Sequence, residues 1–343
     1  MKAFVFSSVQ EATQYTKKDK NKGYVLFSTV ENIKALSQSI ESNVILCSTS
    51  GEYTDKGFRE GAITGFAYNK DECHIVELLY PPVKSLENLK ASYNKVKSNK
   101  DAFLLLLCDG LSGMEESIIT TLFFMDNHFK IIGGSAGDSL KFDETVIYIG
   151  GKKVHSVALF FNPQKRTEIL KENIYVPSGK RLLVTDADPI SRVVKKFNNA
   201  PASTEYARML GVEEADLPNH FMNHPLGKIY EEDIFIASPM KVNSDKSITF
   251  YCQLMPNTFV HVLEPIDPIN AIKNTLSAAT IKPSFVFVIN CILRSLKFQQ
   301  EDLWKDIDRN ITNFCSNTTG FISYGEQYYK NHSNQTMVML LVE

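Results

Sequence analysis

The sequence predicts an α/β (α+β) protein of two lobes, built from repeated strand-helix-strand units around a β-rich middle segment, and three observations carry that expectation. A strand, an amphipathic helix, a second strand, a glycine-acid turn and a further strand follow one another three times. Between the second and third occurrences the texture changes to short β-type runs broken by proline. The turns themselves share a pattern: Thr49-Ser50-Gly51-Glu52, Ser135-Ala136-Gly137-Asp138 and Ser323-Tyr324-Gly325-Glu326 each read hydroxyl, any residue, glycine, carboxylate. Glycine permits a positive φ or a close backbone approach, and a neighbouring hydroxyl and acid make such a turn a natural lining for a small ligand.

The elements follow in order. After a β-type run at 2–6, the first repeat has strands at 24–27 and 44–47, with Ile33, Leu36 and Ile40 at helical spacing between them, and a closing strand at 62–68. Leu86, Leu89, Tyr93 and Val96 mark an amphipathic helix after the break at Pro81-Pro82. The second repeat runs from a buried strand at 102–108 through a turn at 109–111. Ser112-Gly113-Met114-Glu115 then has the form of a capping box, opening a helix whose buried face is Ile118, Leu122 and Met125. Strands at 130–132, 145–149 and 154–161 complete it. The third repeat has a strand at 285–291, a helix with Leu303, Ile307, Ile311 and Phe314 on one face, and strands at 318–323 and 336–342. In the first and third repeats the closing strand starts eleven residues after the turn glycine.

In the middle segment, Asp188-Pro189 predicts a helix start with the apolar stripe Ile190, Val193, Val194 and Phe197. A short helix at 204–210 is stopped by Gly211, and strands are expected at 234–237, 248–254 and 259–263. The cluster Pro177-Ser178-Gly179 places the boundary between two domains, 1–180 and 181–343.

A chain of 343 residues exceeds what one core serves, which supports two domains. With 22% charged residues and a net charge of -2 there is no electrostatic footprint for nucleic acid or an anionic membrane. The longest apolar run, 102–108, falls far short of the roughly 20 residues of a spanning helix. The start reads as a strand rather than a secretory signal, and six scattered cysteines without a CxxC fit reduced thiols, so a cytoplasmic location is expected.

Several residues are candidates for chemistry. Gly133-Gly134-Ser135-Ala136-Gly137 fits GxSxG, the turn that exposes a nucleophilic serine, but that motif needs a helix directly after it and 138–142 leads toward another strand. His220 and His224 have a metal-ligand spacing, yet Pro218 and Pro225 place them in a loop. Arg294 follows strand 285–291 at the end where ligands bind in open α/β sheets, and its fork suits a carboxylate or propionate. His332 lies just beyond the third turn.

Residues 46–52 (LCSTSGE), 131–138 (IIGGSAGD), 202–211 (ASTEYARMLG), Pro225-Leu226-Gly227, 320–326 (GFISYGE) and 332–336 (HSNQT) together resemble the FIST-domain proteins, N-terminal and C-terminal parts in order over nearly the whole chain. The resemblance implies a stand-alone sensory protein rather than an enzyme. It would bind a small ligand such as an amino acid and signal through a separate histidine kinase, diguanylate cyclase or chemoreceptor-type effector. The stretch 290–296 (NCILRSL) is similar to a Cys-x-x-Arg stretch of the NosP-type branch, haem proteins that sense nitric oxide, although Ser295 stands where that branch has a second arginine.

Two chemistries follow from the resemblance. With haem, His332 or His224 is the axial ligand and Arg294 the propionate partner. With an amino acid or other small metabolite, Glu52, Asp138 and Glu326 meet an ammonium and Arg294 a carboxylate. Ser135, Tyr324 and Asn334 complete the expected ligand-binding set. A serine hydrolase using Ser135 is the remaining alternative.

Overall fold

In the computed structural model, which describes residues 1–231 and 233–343, the three repeats form three separate six-stranded sheets, and Met1–Glu172, Ile272–Asn331 and Met337–Glu343 make one compact unit. The chain starts with Lys2–Phe6 (β1), Val9–Thr16 (α1), Lys22–Ser28 (β2), Val30–Ser37 (α2), Val44–Ser48 (β3), Glu52–Thr54 (β4), Gly57–Arg59 (β5) and Ile63–Asn69 (β6). Next come Cys73–Leu78 (β7), Leu86–Val96 (α3), Phe103–Cys108 (β8), Glu115–Phe123 (α4), Lys130–Ser135 (β9), Ile147–Ile149 (β10), Lys152–Val154 (β11), Ser156–Phe161 (β12) and Thr167–Asn173 (β13).

The second unit, Asn173–Ala271 with His332–Thr336, holds Tyr175–Asp188 (β14), Val193–Phe197 (β15), Ala200–Pro201 (β16), Ala202–Leu210 (α5), Leu226–Tyr230 (β17), Asp233–Ala237 (β18), Pro239–Val242 (β19), Ile248–Phe250 (β20) and Thr258–Pro265 (β21). Pro268–Ser277 (α6) leads back to Phe285–Cys291 (β22), Ile292–Gln300 (α7), Trp304–Phe314 (α8), Thr318–Ser323 (β23), Glu326–Tyr328 (β24), Asn331–Ser333 (β25) and Thr336–Val342 (β26).

The three sheets share one plan, with orders β1-β6-β2-β3-β10-β11, β7-β12-β8-β9-β24-β25 and β13-β26-β22-β23-β4-β5. Within each repeat the first two strands are parallel, as a helical crossover requires: β2 with β3, β8 with β9, β22 with β23. The closing strand returns antiparallel beside the first. The strand after each turn, however, leaves its own sheet. β4 of the first repeat joins β23 of the third, β24 of the third joins β9 of the second, and β10 of the second joins β3 of the first. The exchange closes a ring of three.

Each parallel strand is covered on both faces, which explains its unbroken apolar sequence. Val25, Phe27, Phe103, Leu105, Leu107, Phe285, Phe287 and Ile289 turn into one core shared by the three sheets. The alternate residues face outward under helices: Tyr24 and Leu26 in the cluster with Ile33 and Leu36 of α2, Leu104 and Leu106 in the cluster with Leu89 of α3 and Ile118 of α4. Aromatic rings stitch the sheets together, with Phe27 stacked on Phe321 at 4.6 Å and Phe66 edge-on to Phe287 at 5.2 Å.

The second unit is one eight-stranded sheet, β18-β17-β21-β14-β15-β20-β19 with β16 beside β15, over a core that includes Val184, Phe197, Tyr206, Leu226 and Val262. Gly211 ends α5 in the left-handed conformation (φ 78°), as its sequence position predicts.

Two local expectations are corrected. Residues 188–197 form a hairpin turn and strand β15 rather than a helix. Asp188 accepts the amides of Ile190 and Ser191, Arg192 takes φ 57°, and β15 pairs antiparallel with β14. An Asp-Pro pair initiates a tight turn as readily as a helix, and the stripe of apolar residues was short enough to serve either. Ser112 to Glu115 is not a capping box. The first residue of α4 is Glu115 itself, Met114 is its N-cap without a side-chain bond, and Ser112 Oγ accepts the Met114 amide at 3.3 Å. Among the described residues no helix is long and apolar enough to cross a membrane.

Candidate ligand site around the three turns

The exchange of strands brings the three glycine-acid turns against one another. The Ser50 amide donates to Ile322 O at 3.1 Å and the Ile322 amide to Gly51 O at 2.8 Å. The Tyr324 amide donates to Ser135 O at 3.1 Å and the Ser135 amide to Gly325 O at 2.9 Å. The Gly137 amide donates to Ser48 O at 3.0 Å, and the Ser48 amide to Val146 O at 2.9 Å. Each turn is thus bonded to the next repeat in the ring. A Cβ on Gly137 would lie 2.3 Å from Ser50 Oγ, so this glycine is required by close approach.

The first and third acids have the same use. Thr49 Oγ1 donates to Glu52 Oε1 at 2.6 Å, and Ser323 Oγ donates to Glu326 Oε1 at 2.6 Å. Both acids are fully buried. The second turn differs. Ser135 Oγ donates to Glu115 Oε1 at 3.0 Å and accepts from Gln327 Nε2 at 3.2 Å. Asp138 accepts the amides of Phe142, Asp143 and Glu144 at 3.1, 2.8 and 3.1 Å, and the Tyr324 hydroxyl as well.

Tyr324 Oη accepts the Leu140 amide at 2.6 Å and Ser50 Oγ the Ser139 amide at 3.0 Å. Together these bonds hold Ser139, Leu140 and Phe142 at φ 58°, 64° and 52°, a conformation that non-glycine residues seldom adopt. Burial alone would raise the Asp138 carboxyl, but the Tyr324 hydroxyl and the three amides outweigh it and hold the group below its ordinary range. Asp138 and Tyr324 therefore build a loop, with the Asp138 carboxylate accepting three backbone amides and the Tyr324 hydroxyl.

The nucleophile reading of Ser135 lacks its geometry. β9 is followed by irregular chain up to β10, and the bonds of its hydroxyl go to Glu115 and Gln327.

Arg294, in the first turn of α7, is the largest fully buried side chain among the described residues. Its Nη2 meets the carboxylate of Glu172 on β13, and its guanidinium lies over the Phe298 ring at 4.7 Å. Nε and Nη1 have no hydrogen-bond partner among the described residues. Burial lowers its pKa to about 9, while the charges of Glu326 and Tyr53 act to raise it. Arg294 is a cation at neutral pH all the same.

Among the further buried acceptors without a partner in the described residues are Asn290 Oδ1, four residues before Arg294 in sequence, and both oxygens of Glu172 apart from its ion pair. Burial raises the Glu52 carboxyl to about 7, against the pull of the Thr49 hydroxyl and the amides of Ala62 and Gly61. Buried polar atoms without partners are rare in folded proteins.

The other predicted residues belong to the second unit. Asn334 donates its amide to Ile236 O at 3.0 Å, and its Oδ1 accepts from the Ser238 amide and from Cys252 Sγ at 3.3 and 2.9 Å, while Nδ2 has no partner. His332 is buried on β25. His224 is half-buried, with Nδ1 3.1 Å from Leu263 O, its ring stacked 6.2 Å from that of His220, and His220 Nε2 3.0 Å from Asp216.

As a haem site these residues fit in two respects. A carbonyl on Nδ1 fixes the tautomer that leaves Nε2 of His224 for a metal. Arg294, with Nη2 taken by Glu172, keeps the single donors Nε and Nη1 for a propionate as for any carboxylate. Glu172, Asn290 and Glu115 were not expected from the sequence. Glu172 and Glu115 gain their roles from Arg294 and Ser135, farther along the chain, and a lone acid carries no sign of that.

The architecture defines a two-unit α+β protein whose first unit buries an arginine and several acids. The match with known proteins names the family: residues 25–200 match the FIST N domain and residues 202–329 the FIST C domain, and the chain belongs to the FIST family. FIST domains are ligand-binding sensory domains of signal transduction proteins. No curated protein matches the chain in sequence.

Proposed function

We propose that this protein is a sensor for a small zwitterionic metabolite, an amino acid in the first instance, that it binds at the buried polar groups around Arg294, and that it passes the signal to a separate effector such as a histidine kinase, diguanylate cyclase or chemoreceptor. The observation that carries the reading is the fully buried Arg294 with Nε and Nη1 lacking hydrogen-bond partners among the described residues. A guanidinium so placed offers single charge-assisted donors, Nε or Nη1, to a carboxylate, and the neighbouring charges of Glu326 and Glu172 favour an ammonium beside it. Because the groups are buried, binding is coupled to opening of the unit. That coupling is how a ligand selects one conformation over another, since equal affinity for both would shift nothing.

The test is a thermal-shift screen of the common amino acids. A cognate ligand at about a hundred times its dissociation constant adds roughly 2.7 kcal/mol to stability. If none of them raises the unfolding temperature, the amino-acid reading fails.

A second reading rests on His224, whose Nδ1 faces the Leu263 carbonyl. Here His224 would hold a haem iron and supply the centre at which nitric oxide binds. Protein produced with iron and a haem precursor would then show a Soret band that moves on anaerobic addition of nitric oxide and is lost in His224→Ala. Colourless protein that also fails to take up added haem excludes it.

A further inference from the structure

We propose that a cleft on the first unit, formed by β1, α1, β2 and β6, binds a nucleoside monophosphate. It is made of different residues from the buried groups around Arg294, and its origin can be followed from the strand register. Lys2 of β1 lies opposite Ala67 of β6, and Ala67 lies opposite Tyr24 of β2, so a small side chain separates a lysine from a tyrosine in one row. In the neighbouring row Lys22 lies opposite Asn69. Side chains two apart on a strand share a face, which puts Phe4 beside Lys2 and Lys22 beside Tyr24. Helix α1 supplies the wall, with the Tyr15 ring 4.6 Å from Phe4 and 6.2 Å from Tyr24. The hollow left over the small residue measures about 370 Å³, within the range of small-molecule sites.

Its lining has two chemistries side by side. Phe4 and Tyr15 are half-buried rings able to stack on a base. Lys2, Lys18 and Lys22 surround them. Lys22 Nζ donates to the neutral Asn69 Oδ1 at 2.6 Å, Lys2 Nζ sits 5.5 Å from the Phe4 centroid, and Lys18 Nζ 5.7 Å from that of Tyr15. None of the three forms an ion pair among the described residues. Two acids also line the rim, where Asp19 accepts the Asn21 amide and Glu72 the side chain of Asn69, and they offset part of the lysines' charge. Three ammonium groups outside any ion pair, set around aromatic rings, suit a ligand with one flat ring system and one phosphate.

Titration calorimetry with the four common nucleoside monophosphates, with adenosine and with inorganic phosphate tests the proposal. At least one monophosphate binds, its affinity falls as salt is raised, and adenosine and phosphate each bind at least tenfold more weakly. Lys2→Glu and Lys18→Glu, both at exposed positions, leave the unfolding midpoint unchanged and weaken the nucleotide at least tenfold. Absence of binding by all four monophosphates at millimolar concentration overturns the proposal. So does equal affinity for adenosine or for phosphate alone, and so does undiminished binding by Lys18→Glu.

Discussion

Glu52 and Arg294 are charged groups that folding removes from water, and each leaves a measurable trace. The Glu52 carboxyl rises from its ordinary 4.5 to about 7 in the folded protein. Between those values the folded state keeps a proton that the unfolded state has lost, so stability falls as pH rises from about 4.5 to about 7, by up to about 3 kcal/mol. Glu52→Gln removes this decline, and denaturant unfolding at several pH values reads it directly; an unchanged slope would mean the carboxyl is solvated. For Arg294 the trace is in stability itself. Arg294→Met leaves Glu172 buried without its counter-charge and costs about 3–5 kcal/mol, seen as a lower urea midpoint. The arginine was legible in the sequence from its place after an apolar strand. Glu172 was not, because 121 residues separate the two and nothing local marks an acid as buried.

At the scale of elements, the second turn carries a loop as well as a strand end. Gly137→Ala would drive a methyl group into Ser50 and costs about 2 kcal/mol, whereas the same change at Gly211, which meets nothing, costs only the strain of its positive φ. Removing the carboxylate in Asp138→Ala frees three amides and the Tyr324 hydroxyl, and segment 139–144 becomes the first region to exchange its amide hydrogens. Protection in that segment equal to that of the unchanged protein would contradict its role.

The strands of the repeats were readable because burial on both faces leaves an unmistakable apolar run. Helix α5 was readable because Gly211 punctuates it. The segment at 188–197 was misread because its apolar residues fit two periods, and only the pairing of β15 with β14 decides between them. At Ser112 the capping pattern was present, but the chain uses Glu115 to bond Ser135 instead.

At the scale of the whole molecule, the exchange of β4, β10 and β24 ties the three sheets of the first unit into a closed ring. No sheet is complete without a strand from another repeat. The account therefore predicts that amides of β2, β8 and β22 share one opening free energy in native-state hydrogen exchange; one sheet opening well before the others would refute the ring. The repeat itself was visible in the sequence, through the three turns and their spacing. Its closure was not, because the pattern of a strand records which faces are buried and says nothing about which edge it joins.

The central claim is that Arg294 receives a ligand carboxylate, and calorimetric titration of an amino acid that raises the unfolding temperature tests it most directly. Arg294→Lys keeps the buried charge beside Glu172 but loses the Nε and Nη1 donors. The account predicts binding to the unchanged protein and at least a tenfold loss in Arg294→Lys, with both proteins folded by circular dichroism. Equal affinity in the two would contradict it.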